Sequence, residues 1–460
     1  MSVQQKVYNR LPNFLQNLVI SIFNKRSYKK RYGGKYSYYK ALQESYQDLS
    51  YAELKAIQQK RLVDFLQYAV NNSPFYKKKF EHLTLPESPD QISRLPLISK
   101  EEFRSNVNEI YTVPAKGAFS GKTGGTTGFS LEVRHTLDNI QERFAILDTF
   151  RAKTGYVLGK RTAWFSGKSL LTKTDIAKNR FWKTDILHHV RYYSTFHIKT
   201  EYLTHYVNNI LKYQPEYIVG FPTSITEVAR HGLRNNLSFP KGVVKAIFPT
   251  SETTTPEMRE VLERFYNTKV YDQYASSEGA PFIFECSKGK LHLDIANGVY
   301  EVLDENDQEA ESGRLVVTAF PTHGTPLIRY DIGDTVEKGN ETCDCGNHNP
   351  VIKTILGRID DYVYSPENGK INTSNMSNTT KGVHGMIKYQ AIQKELNKIT
   401  LLIVTDKKLF TQKDLDTFIE NWRDRVGKKM EIETKTVDDI PVEKSGKYRM
   451  VKNDIKHLID

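Results

Sequence analysis

Hydroxyl and carboxylate side chains spaced three residues apart mark where helices begin along this chain. Ser50 and Glu53 precede Leu54, Ile57, Leu62, Phe65 and Leu66. The pair satisfies backbone N–H groups of a first turn, and the apolar positions that follow line one face of an amphipathic helix. Ser99 and Glu102 repeat the start signal. Between residues 115 and 360 the texture changes to short β-rich runs alternating with helical ones, among them 217–219, 243–248 and 315–318, which predicts α/β organisation. Thr255 as N-cap and Pro256 in the first turn lead into Met258, Val261, Leu262 and Phe265, after which residues 269–274 return as a strand. That stretch reads as one strand–helix–strand unit. Past Asp361 the chain turns polar through residues 368–380, then gives two strand patterns, 387–392 and 399–404, and a helix capped by Thr411. The expected architecture is an α/β protein: an N-terminal arm (1–45), a large multi-sheet domain (46–359) and a small mobile α+β domain (360–460), each lobe within the usual domain range.

Composition changes this picture mainly at the arm. The net charge of +12 is unevenly placed, because residues 1–43 carry nine Lys or Arg and no Asp or Glu. The rest is nearly balanced and lacks a Cys/His finger or an RNP-like aromatic strand, so nucleic acid is not an expected partner. Within the arm, Leu11, Phe14, Leu15, Leu18 and Ile22 recur at helical spacing beside Lys25, Arg26, Lys29, Lys30 and Arg31. Two arrangements fit: a helix lying on anionic lipid, or one packed on the protein's own surface with a solvated basic end. No apolar stretch approaches a bilayer span and the start carries no secretory pattern. The expectation is a cytoplasmic protein, with the arm as the segment suited to peripheral contact with the inner face of a membrane.

Candidate chemistry begins at residues 120–128, SGKTGGTTG. Glycines let backbone N–H groups approach phosphate oxygens, and Thr hydroxyls add donors or a magnesium ligand. A Walker A loop would need Gly five positions before Gly121, where Lys116 stands, so a P-loop NTPase is disfavoured. Alone, the segment is either a phosphate site or a hairpin turn. The three cysteines are too few for a disulfide framework. Cys286, Cys343 and Cys345, with His292 six residues after the first, instead amount to a full tetrahedral zinc shell, with His348 as a competing fourth ligand and three unrelated thiols as the plain alternative.

The Gly/Thr loop is followed in order by YASSEG (274–279), RYDIGD (329–334), GRIDD (357–361) and SGKYR (445–449), with LPLISKEEFR (95–104) and GFPTSI (220–225) between and before them. In order and spacing these motifs resemble the adenylate-forming superfamily, in its phenylacetate–CoA ligase and CapK-like branch, from about residue 50 to 455. The resemblance implies that Thr123, Gly124, Gly125, Thr126, Thr127 and Gly128 hold the phosphates of ATP. It implies that Tyr274 and Ser277 join the nucleotide site, that Glu278 reaches Mg2+ and that Asp334 accepts from the ribose hydroxyls. Arg358 falls near ribose or phosphate, Asp360 at an interdomain hinge, and Lys447 at the catalytic lysine of the small domain. These roles suit the chemistry, since attack of a carboxylate on the α-phosphorus gathers negative charge that needs a cation, a metal and backbone donors. Arg449 stands one position earlier than in the commonest form of the lysine motif, and the segment after Gly369 is rich in Asn, Thr and Ser, unlike the thiol-binding region of the branch's CoA ligases.

The implied reaction converts a small carboxylic acid and Mg-ATP into acyl-adenylate and pyrophosphate, then transfers the acyl group to CoA. A CapK-like alternative transfers it to an amine or hydroxyl in polysaccharide biosynthesis. A third reading is a non-catalytic scaffold that binds nucleotide or membrane. Residues 164–167 and 217–224 are expected to contribute to the acid pocket.

Overall fold

The computed structural model describes residues 3–122, 132–358, 362–372, 376–380, 382–442, 448–455 and 458–459. Helix starts follow the capping chemistry. Ser50 Oγ accepts from the Glu53 N–H while the Glu53 carboxylate accepts from the Ser50 N–H at 2.8 Å, opening the helix Tyr51–Asn72. Thr255 caps Pro256–Tyr266, and Thr411 with Asp414 caps Gln412–Val426.

Two sheets carry the large domain. One has five strands in the order Trp182–Asp185, Val190–Ser194, Thr162–Ser166, Tyr217–Gly220 and Ala246–Pro249, parallel apart from the first pair. The helices Leu203–Tyr213, Pro222–Arg234 and Pro256–Tyr266 supply Tyr206, Ile210, Val228, Leu262 and Phe265 to the buried cluster on this sheet. Gly220 ends the strand beside the central one at φ +146°, where a Cβ would lie 2.1 Å from the Phe165 carbonyl oxygen, so no larger residue fits there. The other sheet is antiparallel, in the order Gly298–Leu303, Ser312–Ala319, Leu327–Lys338, Val351–Arg358, Leu291–Leu293, Phe282–Glu285 and Gln273–Ala275. Phe150 on the helix Leu137–Ala152 stacks on Phe284 at 4.5 Å and meets Phe248 edge-on, joining the two sheets through one aromatic layer.

The strand–helix–strand expectation needs correction at its end. The segment 269–274 makes a single parallel bridge to the five-stranded sheet, Val270 to Ile247, and then leaves it. Its strand, Gln273–Ala275, is the edge of the seven-stranded sheet. The run is β-rich as expected, but its partner sheet changes within it because Gln273 onward pairs with Phe282–Glu285.

The C-terminal domain has its own core. A four-stranded sheet, Glu431–Thr436, Lys398–Thr405, Met386–Glu395 and Val451–Asn453, packs Ile399, Leu401 and Ile403 against Phe418, Trp422 and Val426 of the helix Gln412–Val426. The hairpin Tyr362–Ser365 and Gly369–Asn372 joins this core through Val363 and Ile371.

The arm forms a helix, Asn13–Arg31, held on the protein by its polar face. Gln16, Ile20, Ser21, Asn24 and Tyr28 are the buried positions. Lys183, on the edge strand, has no exposed side-chain surface and donates to Asp175 at 2.8 Å, to Asn13 Oδ1 at 2.9 Å and to Gln16 Oε1. Burial pulls this lysine below its ordinary pKa, and Asp175 opposes that pull. Asn24 donates to Asp185 at 2.7 Å. Among the described residues no helix is long and apolar enough to cross a membrane. Removing one partner of a buried, hydrogen-bonded charge pair costs about 3–5 kcal/mol. Lys183→Ala should therefore lower the thermal midpoint clearly and let trypsin cut the arm earlier than in wild type; unchanged melting and digestion would contradict the assignment of Lys183 as the arm's anchor.

Candidate functional site

The loop between the edge strand Gln273–Ala275 and Phe282–Glu285 carries Ser277 and Glu278. Glu278 is buried. Gly279 follows at φ +128°, and a Cβ there would come within 2.5 Å of Thr322 Cγ2. Glycine is what lets the chain turn so closely after the carboxylate. Tyr274 donates its hydroxyl to the Asp334 carboxylate, and Asp334 lies opposite Arg358 in the antiparallel register of Leu327–Lys338 with Val351–Arg358. The fold therefore brings Tyr274, Ser277, Glu278, Asp334 and the backbone of Arg358 to one end of the seven-stranded sheet.

A cation lies beneath this loop. Arg143 donates to the Ser276 carbonyl at 2.9 Å and its other terminal nitrogen lies 3.1 Å from His135 Nε2. Burial lowers the Arg143 pKa to about 10, with the negative charge of Glu278 acting against the shift. Burial, reinforced by Arg143, pushes His135 down to about 3, so this ring is neutral at ordinary pH. The Gly/Thr loop (Thr123, Gly124, Gly125, Thr126, Thr127, Gly128) lies outside the described residues, but its roots do not. The strands Phe119–Lys122 and Glu132–His135 pair at the loop's base, and a Cβ on Gly121 would sit 3.6 Å from the Ser277 carbonyl oxygen.

The small domain meets the large one through Glu252, a residue that none of the motifs contains. One carboxylate oxygen accepts from the Thr223 N–H at 3.2 Å and the Thr223 hydroxyl at 2.6 Å; the other accepts from the Tyr448 N–H at 2.9 Å. Lys447 and Asp360, the position expected at the hinge, lie outside the described residues, and Tyr448 follows Lys447 directly in the sequence. The signal available in the sequence was positional: Glu252 comes just after a parallel strand ends, where open α/β sheets gather ligand-binding loops. Arg230 adds a second domain contact, to the Ile387 carbonyl at 2.7 Å, while also pairing with Glu257 at 2.7 Å. Between the domains runs a cleft whose lining includes Thr223, Ser224, Arg230, Lys388 and Tyr448. Of the residues expected near the acid, Thr223 and Ser224 line this cleft, whereas Tyr217 and Val219 are core. Trp164 packs beside Val190 and Tyr192.

Cys286, His292, Cys343 and Cys345 converge, with all candidate donor atoms within 4.8 Å of one another. The Cys286 and Cys343 sulfurs are 3.7 Å apart, and Cys345 Sγ is 3.4 Å from His292 Nε2. His292 Nδ1 donates to the Asn349 carbonyl at 3.0 Å, which leaves Nε2 as the nitrogen facing the sulfurs. His348 instead donates through Nδ1 to the Leu49 carbonyl at 2.9 Å.

This arrangement of two sheets and an appended C-terminal domain is the adenylate-forming CoA ligase fold. A 2-hydroxyisobutyryl-CoA ligase in the postadenylation state with 2-HIB-AMP superposes with a TM-score of 0.71 at 18% identity, over 90% of this chain and 92% of that one. The same enzyme with 2-HIB-AMP and CoA in its thioesterification state gives 0.57 at 19% identity, over 90% and 92%. The family model for the CapK C-terminal domain matches residues 363–454. Protein CapK of Staphylococcus aureus is 32% identical over 459 residues, 98% of this chain and 99% of the relative. The chain belongs to the CapK family. It is also 22% identical to a phenylacetate-coenzyme A ligase of Thermus thermophilus over 325 residues, 68% of this chain and 72% of that protein.

Proposed function

We propose that this protein activates a carboxylic acid by its attack on the α-phosphorus of ATP, forming an acyl-adenylate and pyrophosphate, and then passes the acyl group to CoA. The observation that supports this reading most is the bond from the Tyr448 N–H to Glu252, which docks the small domain onto the large one beside Thr223. In this reading Thr123 to Gly128 wrap the phosphates, with Ser277 at their base. Asp334, held by Tyr274, accepts from the ribose hydroxyls, and Arg358 lies alongside. Glu278 is the carboxylate available to Mg2+, and Lys447 is the cation that offsets charge moving from carboxylate to pyrophosphate. The higher likeness to the postadenylation form than to the thioesterification form of the 2-hydroxyisobutyryl enzyme supports a small domain in its adenylation pose. Acyl transfer then requires rotation about Asp360, a motion of the kind that gates turnover in two-domain enzymes.

Kinship with CapK over the whole chain, together with the Asn-, Thr- and Ser-rich segment after Gly369, favours a second reading for the last step only. There the acceptor is an amine or hydroxyl of a saccharide in place of CoA. A non-catalytic scaffold is disfavoured, because it would have no use for Glu278, Asp334, Arg358 and Lys447 together.

The cysteine cluster fits a structural zinc. Three thiolates and one imidazole complete a tetrahedral shell and leave no position for a reacting water. The ion would tie the Phe282–Glu285 and Leu291–Leu293 hairpin, which extends from the Glu278 loop, to the segment leading into the strand of Arg358. Protein purified without chelator should contain about one zinc per chain, and Cys345→Ser should lose both the metal and thermal stability. Stoichiometric absence of zinc would remove this part of the proposal.

The reaction is tested by pyrophosphate release from Mg-ATP across a panel of acids, with and without CoA. At least one acid should drive release, and Lys447→Ala should slow it by about a hundred-fold or more, while consuming supplied acyl-adenylate at the wild-type rate. Asp360→Pro should slow the full cycle. Equal loss of both half-reactions in a folded Lys447→Ala protein, or undiminished adenylation, would contradict the role given to this lysine.

A further inference from the structure

The arm helix is mounted the opposite way from an ordinary surface helix. Its polar residues face the protein: Gln16 meets buried Lys183, Asn24 meets Asp185 and Tyr192 at 2.7 and 3.0 Å, and Asn17 accepts from the Thr184 N–H at 3.1 Å. Apart from Ile20 and Tyr28, which are buried, its large apolar residues face largely outward. Phe14 is 66% exposed and Phe23 71%, and Leu18, Val19 and Ile22 are exposed between them. Phe14, Leu18 and Ile22 are spaced four apart and form one stripe along a helix of 19 residues, about 28 Å long at 1.5 Å per residue. Scattered exposed apolar side chains need no explanation, but a continuous stripe on a rigidly mounted helix marks an interaction surface. The turn after Trp182–Asp185 extends it. Ile186 donates its N–H to Ser21 at 2.8 Å, and both Ile186 and Leu187 are exposed.

Charge identifies the occupant. Lys25, Arg26 and Lys29 are exposed on the arc that continues the apolar stripe, and the first 43 residues contain no acidic side chain. A second copy on this face would oppose like charges, whereas an anionic bilayer offers acyl chains to the stripe and headgroups to the lysines and arginine. We propose that the outward face of Asn13–Arg31, with Ile186 and Leu187, docks this protein on anionic lipid as a preformed interfacial helix lying parallel to the membrane. The polar anchors fix its orientation, so the cleft between the domains is presented at a constant angle to the lipid surface. Docking does not depend on the identity of the acyl acceptor.

Co-sedimentation of the full chain with phosphatidylcholine vesicles, with and without phosphatidylglycerol, tests this at low and moderate salt. Binding should require phosphatidylglycerol and weaken with salt. Phe14→Ser with Leu18→Ser and Phe23→Ser should lower partitioning roughly ten-fold or more, and Lys25→Glu with Lys29→Glu should do so by about ten-fold while reducing the salt dependence. All five positions point away from the protein, and unchanged circular dichroism and melting confirm that the variants fold. Wild-type protein that ignores phosphatidylglycerol vesicles at low salt, or a triple serine variant that binds as well as wild type, would overturn the proposal. So would a wild-type dimer in sedimentation velocity that the serine variant abolishes without vesicle binding, since the stripe would then be an interface between copies.

Discussion

The carboxylate of Glu252 joins the two domains. Its oxygens divide between Thr223, at the start of a helix on the parallel sheet, and the backbone of Tyr448 in the small domain. An adenylation site has to gather a carboxylate and a triphosphate, which repel each other, and then exclude water around them. The large domain supplies an acidic end, with Glu278 and Asp334, above a half-buried Arg143. In the proposed reading the matching cation, Lys447, belongs to the other domain, so that reading needs the two domains docked. Arg230 reinforces the contact by spanning Glu257 and the Ile387 carbonyl.

Rigidity of the large half follows from its packing. The Glu278 loop rests on Gly279, where a side chain would strike Thr322, and on the Arg143 bond to Ser276. Behind it, the stacked rings of Phe150 and Phe284 tie the antiparallel sheet to the parallel one. A carboxylate fixed in this way keeps its position while charge develops, which is worth more than a mobile group of the same kind. The cysteine and histidine cluster stands on the hairpin that continues from this loop, so anything that closes the cluster also steadies the loop.

Local signals along the chain are legible because their causes are local. The caps at Ser50, Thr255 and Thr411 depend on a few neighbouring residues, and all three start helices. Four features depend on tertiary partners and are not legible that way. The run 269–274 has strand composition but changes sheets, because its partner is chosen by Phe282–Glu285 rather than by its own residues. The arm's spacing shows two faces without saying which is inward, and a buried lysine at position 183 selects the polar one. Spacing left His292 and His348 equivalent as candidate ligands, and the Asn349 and Leu49 carbonyls distinguish them. Glu252 carried no motif at all, since its role is to accept from a backbone N–H some two hundred residues away.

Domain docking through Glu252 can be measured before any acid is known. The most direct measurement is hydrogen exchange at the Tyr448 amide, in wild-type protein and in Glu252→Ala. The account predicts a protected amide in the wild type that exchanges fast in the variant, while the sheet strand Met386–Glu395 keeps its protection in both. A Tyr448 amide that exchanges equally fast in both proteins, or stays equally protected in both, would contradict the claim that this carboxylate holds the small domain on the large one.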